Sequence, residues 1–493
     1  MKNLTVLINP ANPDPPPNYF GPPYSLSLIG AFLLKNKKPV RAYDYDQQAF
    51  SVREIMKKEK PGYIGITIQS CTRGSVYELI RQIRQIDSSV IIILGGPFAS
   101  QYYSLLLKNF PVDYAVIHDG EMTLNELLDC LENKGDVRKV KGLALRSGGK
   151  IIFTGEREQI KDLDLLPYPA FHLFRGFDRK INSIKKAGAR SILGKRCVYF
   201  RNSLMLLSSR GCVFHCNFCP MSKVFVNKIR YHSIRYFTDM VQYYYKKHGI
   251  TNFIFGDNNF TMDRERASGI CREIIKRKLH INWSCMTRSD SITRALLKEM
   301  SRAGCYEIFY GVESGSPDVQ RRTGKNLDLP LTQKTVQWTE EAGIQCSLML
   351  MVGNLGETRE TIRQTLAYVK EMTPSNIMIK TTRVYPGTRI HDLFESKGLL
   401  PKNYYLTSES DPPLFTQEHT VREFKEFEEM LRPRTTRIEI NRSCNNHCGF
   451  CAPDRKTGKK SLDEIRKELI LASRRGEEVV LTGGEPLLRN DIF

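Results

Sequence analysis

"RGCVFHCNFCP", residues 210–220, sets Cys212, Cys216 and Cys219 within eight residues of one another. Three thiols in so short a run form a ligand set before they form a core. Three thiolates can cap three irons of a cubane cluster and leave the fourth open to a small molecule, whereas an electron-transfer cluster takes a fourth cysteine. Structural zinc usually draws on two ligand pairs, and no matching Cys or His pair follows. The spacing therefore predicts an iron–sulfur loop, with His215 as a spacer between the cysteines.

The loop follows an apolar run, "LMLLSS", and five more such runs come after it: "NFIFGD", "INWSCM", "YEIFYG", "CSLMLM" and "IMIKTTR", each separated by a helical pattern. Six βα units over residues 204–397 predict a partial (β/α)6 barrel with its chemistry at the carboxyl ends of the strands. Polar and glycine-rich segments fall at those ends: "FGDNNF" (255–260), "WSCMTRSD" (283–290), "GVESGS" (311–316), "MVGNLGET" (351–358) and "VYPGT" (384–388).

Upstream, residues 1–155 alternate five short strands with helices, which predicts an α/β, doubly wound parallel sheet that binds ligands at its carboxyl edge. The loops expected there include "TIQSCTRG" (67–74), "GGPF" (95–98) and "HDGEMT" (118–123), and no GxGxxG follows the first strand, which argues against a dinucleotide. Residues 156–203 and 398–434 lack a clean period and read as linkers. "RRTGKN" and "RKTGKKS" lack the first glycine of a phosphate-binding loop.

The 493 residues, 41% of them hydrophobic, suffice for about three domains at roughly 150 residues each. No run approaches the roughly 18 apolar residues that a membrane span needs. Thirteen cysteines, seven of them unpatterned, indicate reduced thiols and a cytoplasmic protein. The net charge of +21 is spread along the whole chain, so it reads as a solvated basic surface rather than a nucleic-acid site.

A second three-cysteine run, "SCNNHCGFCAPD" (443–454), repeats the spacing with Cys444, Cys448 and Cys451. Around it, residues 435–493 form a strand, a helix and a strand ending in "GGEP" (483–486).

These motifs, in this order, resemble those of the radical S-adenosylmethionine (SAM) enzymes. With a doubly wound domain ahead of the barrel, residues 4–397 are similar to the cobalamin-binding branch. The resemblance implies a [4Fe-4S] cluster on Cys212, Cys216 and Cys219, with Phe218 near the adenine of SAM. It makes Asp257, Arg288 and Glu313 candidates for polar contacts to SAM, with Ser314 and Gly353 in the adjoining motifs. Thr67, Gln69, Gly95, Gly96 and Gly120 are candidates for a cobalamin cradle, where small residues let the backbone approach a large flat ligand. The sequence departs from the family's usual "GEGE" with "HDGE" and from "GxPGE" with "GNLGE". The Asp-x-His-x-x-Gly motif that supplies a histidine to cobalt elsewhere is absent, so base-off cobalamin is expected.

The implied activity is formation of a 5′-deoxyadenosyl radical, fed by an external electron donor. A methyl group then passes from cobalamin to a carbon of a small-molecule, lipid or peptide substrate. Cyclisation or rearrangement is the alternative within the class. A tRNA methylthiotransferase would carry three cluster cysteines in its N-terminal domain, where only Cys71 and Cys130 stand. A cobalamin sensor would leave the barrel motifs unexplained. Residues 435–493 look like the start of a second radical SAM barrel, with Glu485 in the motif for the SAM amino group, and are expected to be a truncated unit that does not cleave SAM productively.

Overall fold

A computed structural model of the chain describes residues 3–12, 23–45, 50–174, 177, 190–192, 195–197, 203–221, 228–401, 403–407, 420, 422–423, 426–427, 430, 435–441, 461–474 and 478–483. Five aliphatic runs, β1 (Thr5–Asn9), β2 (Val40–Asp44), β3 (Tyr63–Thr67), β4 (Ile91–Gly95) and β5 (Tyr114–Val116), pair in parallel in the order β2-β1-β3-β4-β5. Val6, Leu7 and Ile8 are all buried, as are Ile92, Ile93 and Leu94. Consecutive apolar residues are needed because the sheet is covered on both faces. The order reverses direction between β1 and β3, and such a reversal opens a crevice at the carboxyl edge.

The parallel sheet expected from residues 1–155 is in fact mixed. β6 (Leu143–Ser147) pairs antiparallel with β5, and β7 (Lys150–Phe153) with β6. Gly148 and Gly149 both take positive φ, +56° and +76°, in the two-residue turn between them. Paired glycines suit that turn because its backbone matches the twist of the flanking strands.

After a short hairpin of β8 (Arg190–Ile192) and β9 (Lys195–Cys197), a second sheet begins with β10 (Leu204–Leu206). A two-stranded ribbon of β11 (Ser209–Arg210) and β12 (Arg230–Tyr231) flanks the cysteine loop. β13 (Asn252–Phe255), β14 (Asn282–Thr287), β15 (Cys305–Glu313), β16 (Gln345–Val352) and β17 (Asn376–Thr381) then complete a six-stranded parallel sheet in the order β10-β13-β14-β15-β16-β17. All six strands read from the sequence are present. Phe253, Phe255, Trp283, Cys285, Ile308, Tyr310 and Leu348 share one buried cluster with Phe237, Ile270, Leu297 and Val336 of the connecting helices.

The two sheets are joined by segments read as linkers. Ile160, Leu163, Leu166, Phe171 and Phe177 are buried in the second sheet's core cluster. Beyond β17, Tyr405 and Thr407 return to the first domain, where their carbonyls accept from Tyr77 Oη (2.5 Å) and Arg73 Nε (3.1 Å). Near the C-terminus β18 (Thr435–Asn441) and β19 (Glu478–Gly483) pair in parallel, with a helix over Leu462–Arg474 between them. No helix among the described residues is long and apolar enough to cross a membrane.

Candidate functional site

The cysteine loop leaves β11 through Gly211, whose φ is +109°. A Cβ there would lie 1.8 Å from the Lys228 carbonyl oxygen, so only glycine fits the turn. Further along, Asn217 anchors the loop: its N–H donates to the Thr323 carbonyl (2.9 Å), its Nδ2 to the Arg322 carbonyl (2.7 Å), and its own carbonyl accepts from Ile390 N–H (3.3 Å). Phe218 packs on Val384, Ile390 and Phe394. The three cysteines are half-buried and free. Burial pushes the Cys216 thiol up and that of Cys219 up to about 11, while the Lys325 ammonium draws both down. Iron binding needs thiolates, so these protons leave when metal arrives.

Beside the thiols lies a charged group built from the ends of β14 and β15. Glu313 holds a left-handed backbone, φ +65°, and accepts from Lys325 Nζ at 2.7 Å, with both side chains buried. Gly311 leaves the room for that pair, since a Cβ there would come within 2.6 Å of Lys325 Nζ and 2.7 Å of Glu313 Oε1. Arg288 makes a two-pronged pair with Asp290 (2.9 and 2.6 Å), donates to the Lys325 carbonyl (3.0 Å) and stacks over the Phe214 ring at 3.9 Å. Its Nη1 is buried without a hydrogen-bond partner. The donor set therefore fits a cluster with a zwitterionic ligand: three thiols, a buried guanidinium with a spare donor, an ammonium and a carboxylate. Lys325 is absent from the residues picked out in the sequence. Its signal was the lysine of "RRTGKN", which reads only as a false phosphate loop.

The structure brings Arg288 and Glu313 together with the cysteines. Asp257, by contrast, points to the base of the loop: it accepts from Ser208 N–H (3.1 Å), Ser208 Oγ (3.0 Å) and Ser209 Oγ. Burial raises its pKa, against those hydrogen bonds and Arg266. Ser314 Oγ bonds Thr365 Oγ1 (2.9 Å). Gly353, φ +81°, donates its N–H to Glu357 (2.6 Å), whose carboxyl burial lifts to about 7. Cys444, Cys448, Cys451 and Glu485 lie outside the described residues.

At the carboxyl edge of the first sheet a cavity of about 260 Å³ enters between the strands. Thr67, Gln69, Gly95, Gly96 and Gly120 line it, with His118, and so do Leu207 and Arg210 from the second sheet's side. A Cβ at Gly95 would meet nothing within 4 Å, so the space above it is open to a ligand. Gly96 takes φ +99°, and a Cβ there would lie 2.8 Å from Thr67 Oγ1. His118 Nδ1 and Glu121 Oε2 are buried without hydrogen-bond partners. An apolar slot with a glycine rim and spare polar atoms fits a limb of an amide-bearing corrinoid.

Comparison with known proteins agrees with this geometry. The B12 binding domain family matches residues 17–128, and the Radical SAM superfamily matches residues 206–369 and 438–493. An uncharacterized methyltransferase, PH0819, of Pyrococcus horikoshii is 26% identical over 384 residues, 77% of this chain and 80% of its own. An anaerobic magnesium-protoporphyrin IX monomethyl ester cyclase of Rubrivivax gelatinosus is 24% identical over 73% of this chain and 62% of its own. In fold, the chain is similar to the radical SAM methyltransferase TsrM of Kitasatospora setae, solved with cobalamin and a [4Fe-4S] cluster bound. The TM-score is 0.65 at 18% identity, covering 80% of this chain and 75% of that one. The chain belongs to the cobalamin-binding radical SAM enzymes, whose cofactors are a [4Fe-4S] cluster, SAM and cobalamin.

Proposed function

We propose that this enzyme methylates a carbon atom of a small-molecule, lipid or peptide substrate. One observation carries the reading: the glycine-rimmed cavity of the first domain is also walled by Leu207 and Arg210, five and two residues short of Cys212 in the chain, so corrinoid and cluster chemistry would share one chamber. When bound, the cluster with SAM supplies a hydrogen-abstracting radical and cobalamin supplies a transferable methyl group. The chain's own part is to hold and to exclude. Cys212, Cys216 and Cys219 hold the irons. Glu313 and Arg288 are assigned to the amino and carboxylate ends of SAM, Phe218 to its adenine side, and Ser314 and Gly353 to the turns that shape its pocket. Asp257 fixes Ser208 and Ser209, and through them the start of the loop. Thr67, Gln69, Gly95, Gly96 and Gly120 form the corrinoid cradle, and the packed seam between the two domains keeps water from the radical.

The six-stranded sheet is read as a partial (β/α)6 barrel over 204–397, preceded by a cobalamin domain over 1–155. The matched segment 438–493, with its βαβ unit, is read as belonging to a second radical SAM unit that uses Cys444, Cys448, Cys451 and Glu485. Free thiols support a reducing, cytoplasmic setting with an external electron donor. The methyltransferase relatives favour methylation over cyclisation. Anaerobic reconstitution with iron, sulfide and cobalamin, followed by assay with SAM, tests the reading. Deoxyadenosine and S-adenosylhomocysteine in comparable amounts are expected, and deoxyadenosine alone would replace methylation with rearrangement.

A further inference from the structure

Four buried charges tie the corrinoid cavity to the cysteine loop. Arg210 donates to Asp119 (3.1 Å) and to Glu121 (2.5 Å), and Arg230 donates to Asp119 (2.5 Å) and to the Ile160 carbonyl (2.9 Å). Each side chain is at most 13% exposed. Asp119 and Glu121 belong to the "HDGE" loop that also carries His118 and Gly120 into the cavity wall. Arg210 is the last residue of β11 and joins Cys212 through Gly211, whose turn is closed by the Lys228 carbonyl.

The placement of the two arginines is informative. They face each other directly across the β11–β12 ribbon. Like charges opposed in that way repel, and Asp119 of the other domain offsets the repulsion by accepting from both. Tyr24, at the start of the first helix, also faces Arg210 and Glu121. Buried ion pairs add little net stability over apolar packing, and their best-attested use is to fix one arrangement among several.

We propose that the Arg210–Asp119–Glu121–Arg230 network is a positioning clamp that sets the distance between cluster and cobalamin, by locking the cysteine loop to the wall of the corrinoid cavity. The clamp rests on the proposed assignment of the two cofactor sites. It makes the two cofactors' arrangement depend on these four residues rather than on the covalent linkers.

Reduced cluster and cob(II)alamin are both paramagnetic, so pulsed electron paramagnetic resonance on the reconstituted full chain reads their separation without turnover. The wild type is expected to give one narrow distance distribution. Arg210→Met and Glu121→Gln should broaden or shift it at unchanged iron and cobalamin content, and Arg210→Lys should restore it in part. Arg84→Met, which removes an ion pair with Asp113 elsewhere in the first domain, should leave it narrow. A wild-type-like distribution in both Arg210→Met and Glu121→Gln would overturn the clamp. Failure of the wild type to take up either cofactor would instead count against the site assignment. In that case hydrogen exchange on the apo chain decides: residues 209–221 should exchange at least tenfold faster in Arg210→Met while β13–β16 do not change, and equal exchange rejects the clamp.

Discussion

Glu313 is a non-glycine residue held at φ +65°, a conformation that costs on the order of 1–3 kcal/mol. Its ion pair with Lys325, which fills the space left by the missing side chain of Gly311, offsets that strain, so the three residues act as one unit. Gly311→Ala is expected to part the pair and weaken SAM binding about tenfold, roughly 1.4 kcal/mol, at unchanged iron content. Equilibrium binding of SAM to the reconstituted chain measures it, and unaltered affinity would remove the pair from the site. A second carboxyl, Glu307, is buried on β15 with a hydrogen bond from Ser347 Oγ (2.6 Å), and burial lifts its pKa to about 7. Its folded pKa exceeds the ordinary carboxylate value, so the folded state binds the extra proton. Its stabilising share is complete below about pH 4.5 and is lost as pH rises through 7. Glu307→Gln should therefore gain stability relative to wild type between pH 5 and pH 8, by about 3 kcal/mol at most. Chemical denaturation at both pH values would show a constant difference if the carboxyl were solvated.

At the scale of the element, the cysteine loop is defined by its two anchors. Gly211 closes it at β11, and Asn217 fastens it to the end of the helix over Pro317–Thr323 and to the helix over Arg389–Ser396. Gly211→Ala would force a left-handed alanine against a backbone carbonyl, with no flexible side chain to yield. Reconstituted iron content should fall to less than half, while the six-stranded sheet keeps its circular dichroism. The triple variant Cys212→Ala, Cys216→Ala, Cys219→Ala is expected to lose deoxyadenosine formation altogether. Deoxyadenosine at the wild-type rate in that variant would mean that the cluster sits elsewhere. The hairpin of β6 and β7 shows the same logic in a structural element, since Gly148 and Gly149 both take the positive φ that lets a tight turn return the chain antiparallel in two residues.

At the scale of the molecule, cobalamin is expected to bind base-off, because no Asp-x-His-x-x-Gly motif is present. A His118 ligand is disfavoured: it is held at φ +60° by its N–H bond to Ser100 Oγ (2.9 Å), with Nε2 turned towards Glu156 at 3.6 Å. An absorption spectrum with a histidine-ligated signature would contradict this. The second motif gives a complementary test: Cys444→Ala, Cys448→Ala, Cys451→Ala should lower iron content and leave deoxyadenosine formation nearly unchanged. Loss of most activity would make the second cluster an electron donor to the first.

The sequence by itself determined the order of the βα units, the three thiols after β10, and the glycines of the cavity rim. Each of these is written in a local pattern: apolar periodicity, ligand spacing, or the need for a residue without a side chain. Arg288 and Glu313 were legible because they end strands. Lys325, the Arg210 and Arg230 pair, and the inward turn of Asp257 towards Ser208 were not. Lys325 lies 12 residues beyond Glu313, and Arg210 lies 91 residues from Asp119. Their meaning depends on which opposite charge arrives beside them once water is excluded, and in an exposed chain each is one basic residue among 74. Only the tertiary structure brings such charges together, because a buried ion pair is defined by desolvation, and desolvation is a property of the packed molecule rather than of any stretch of it.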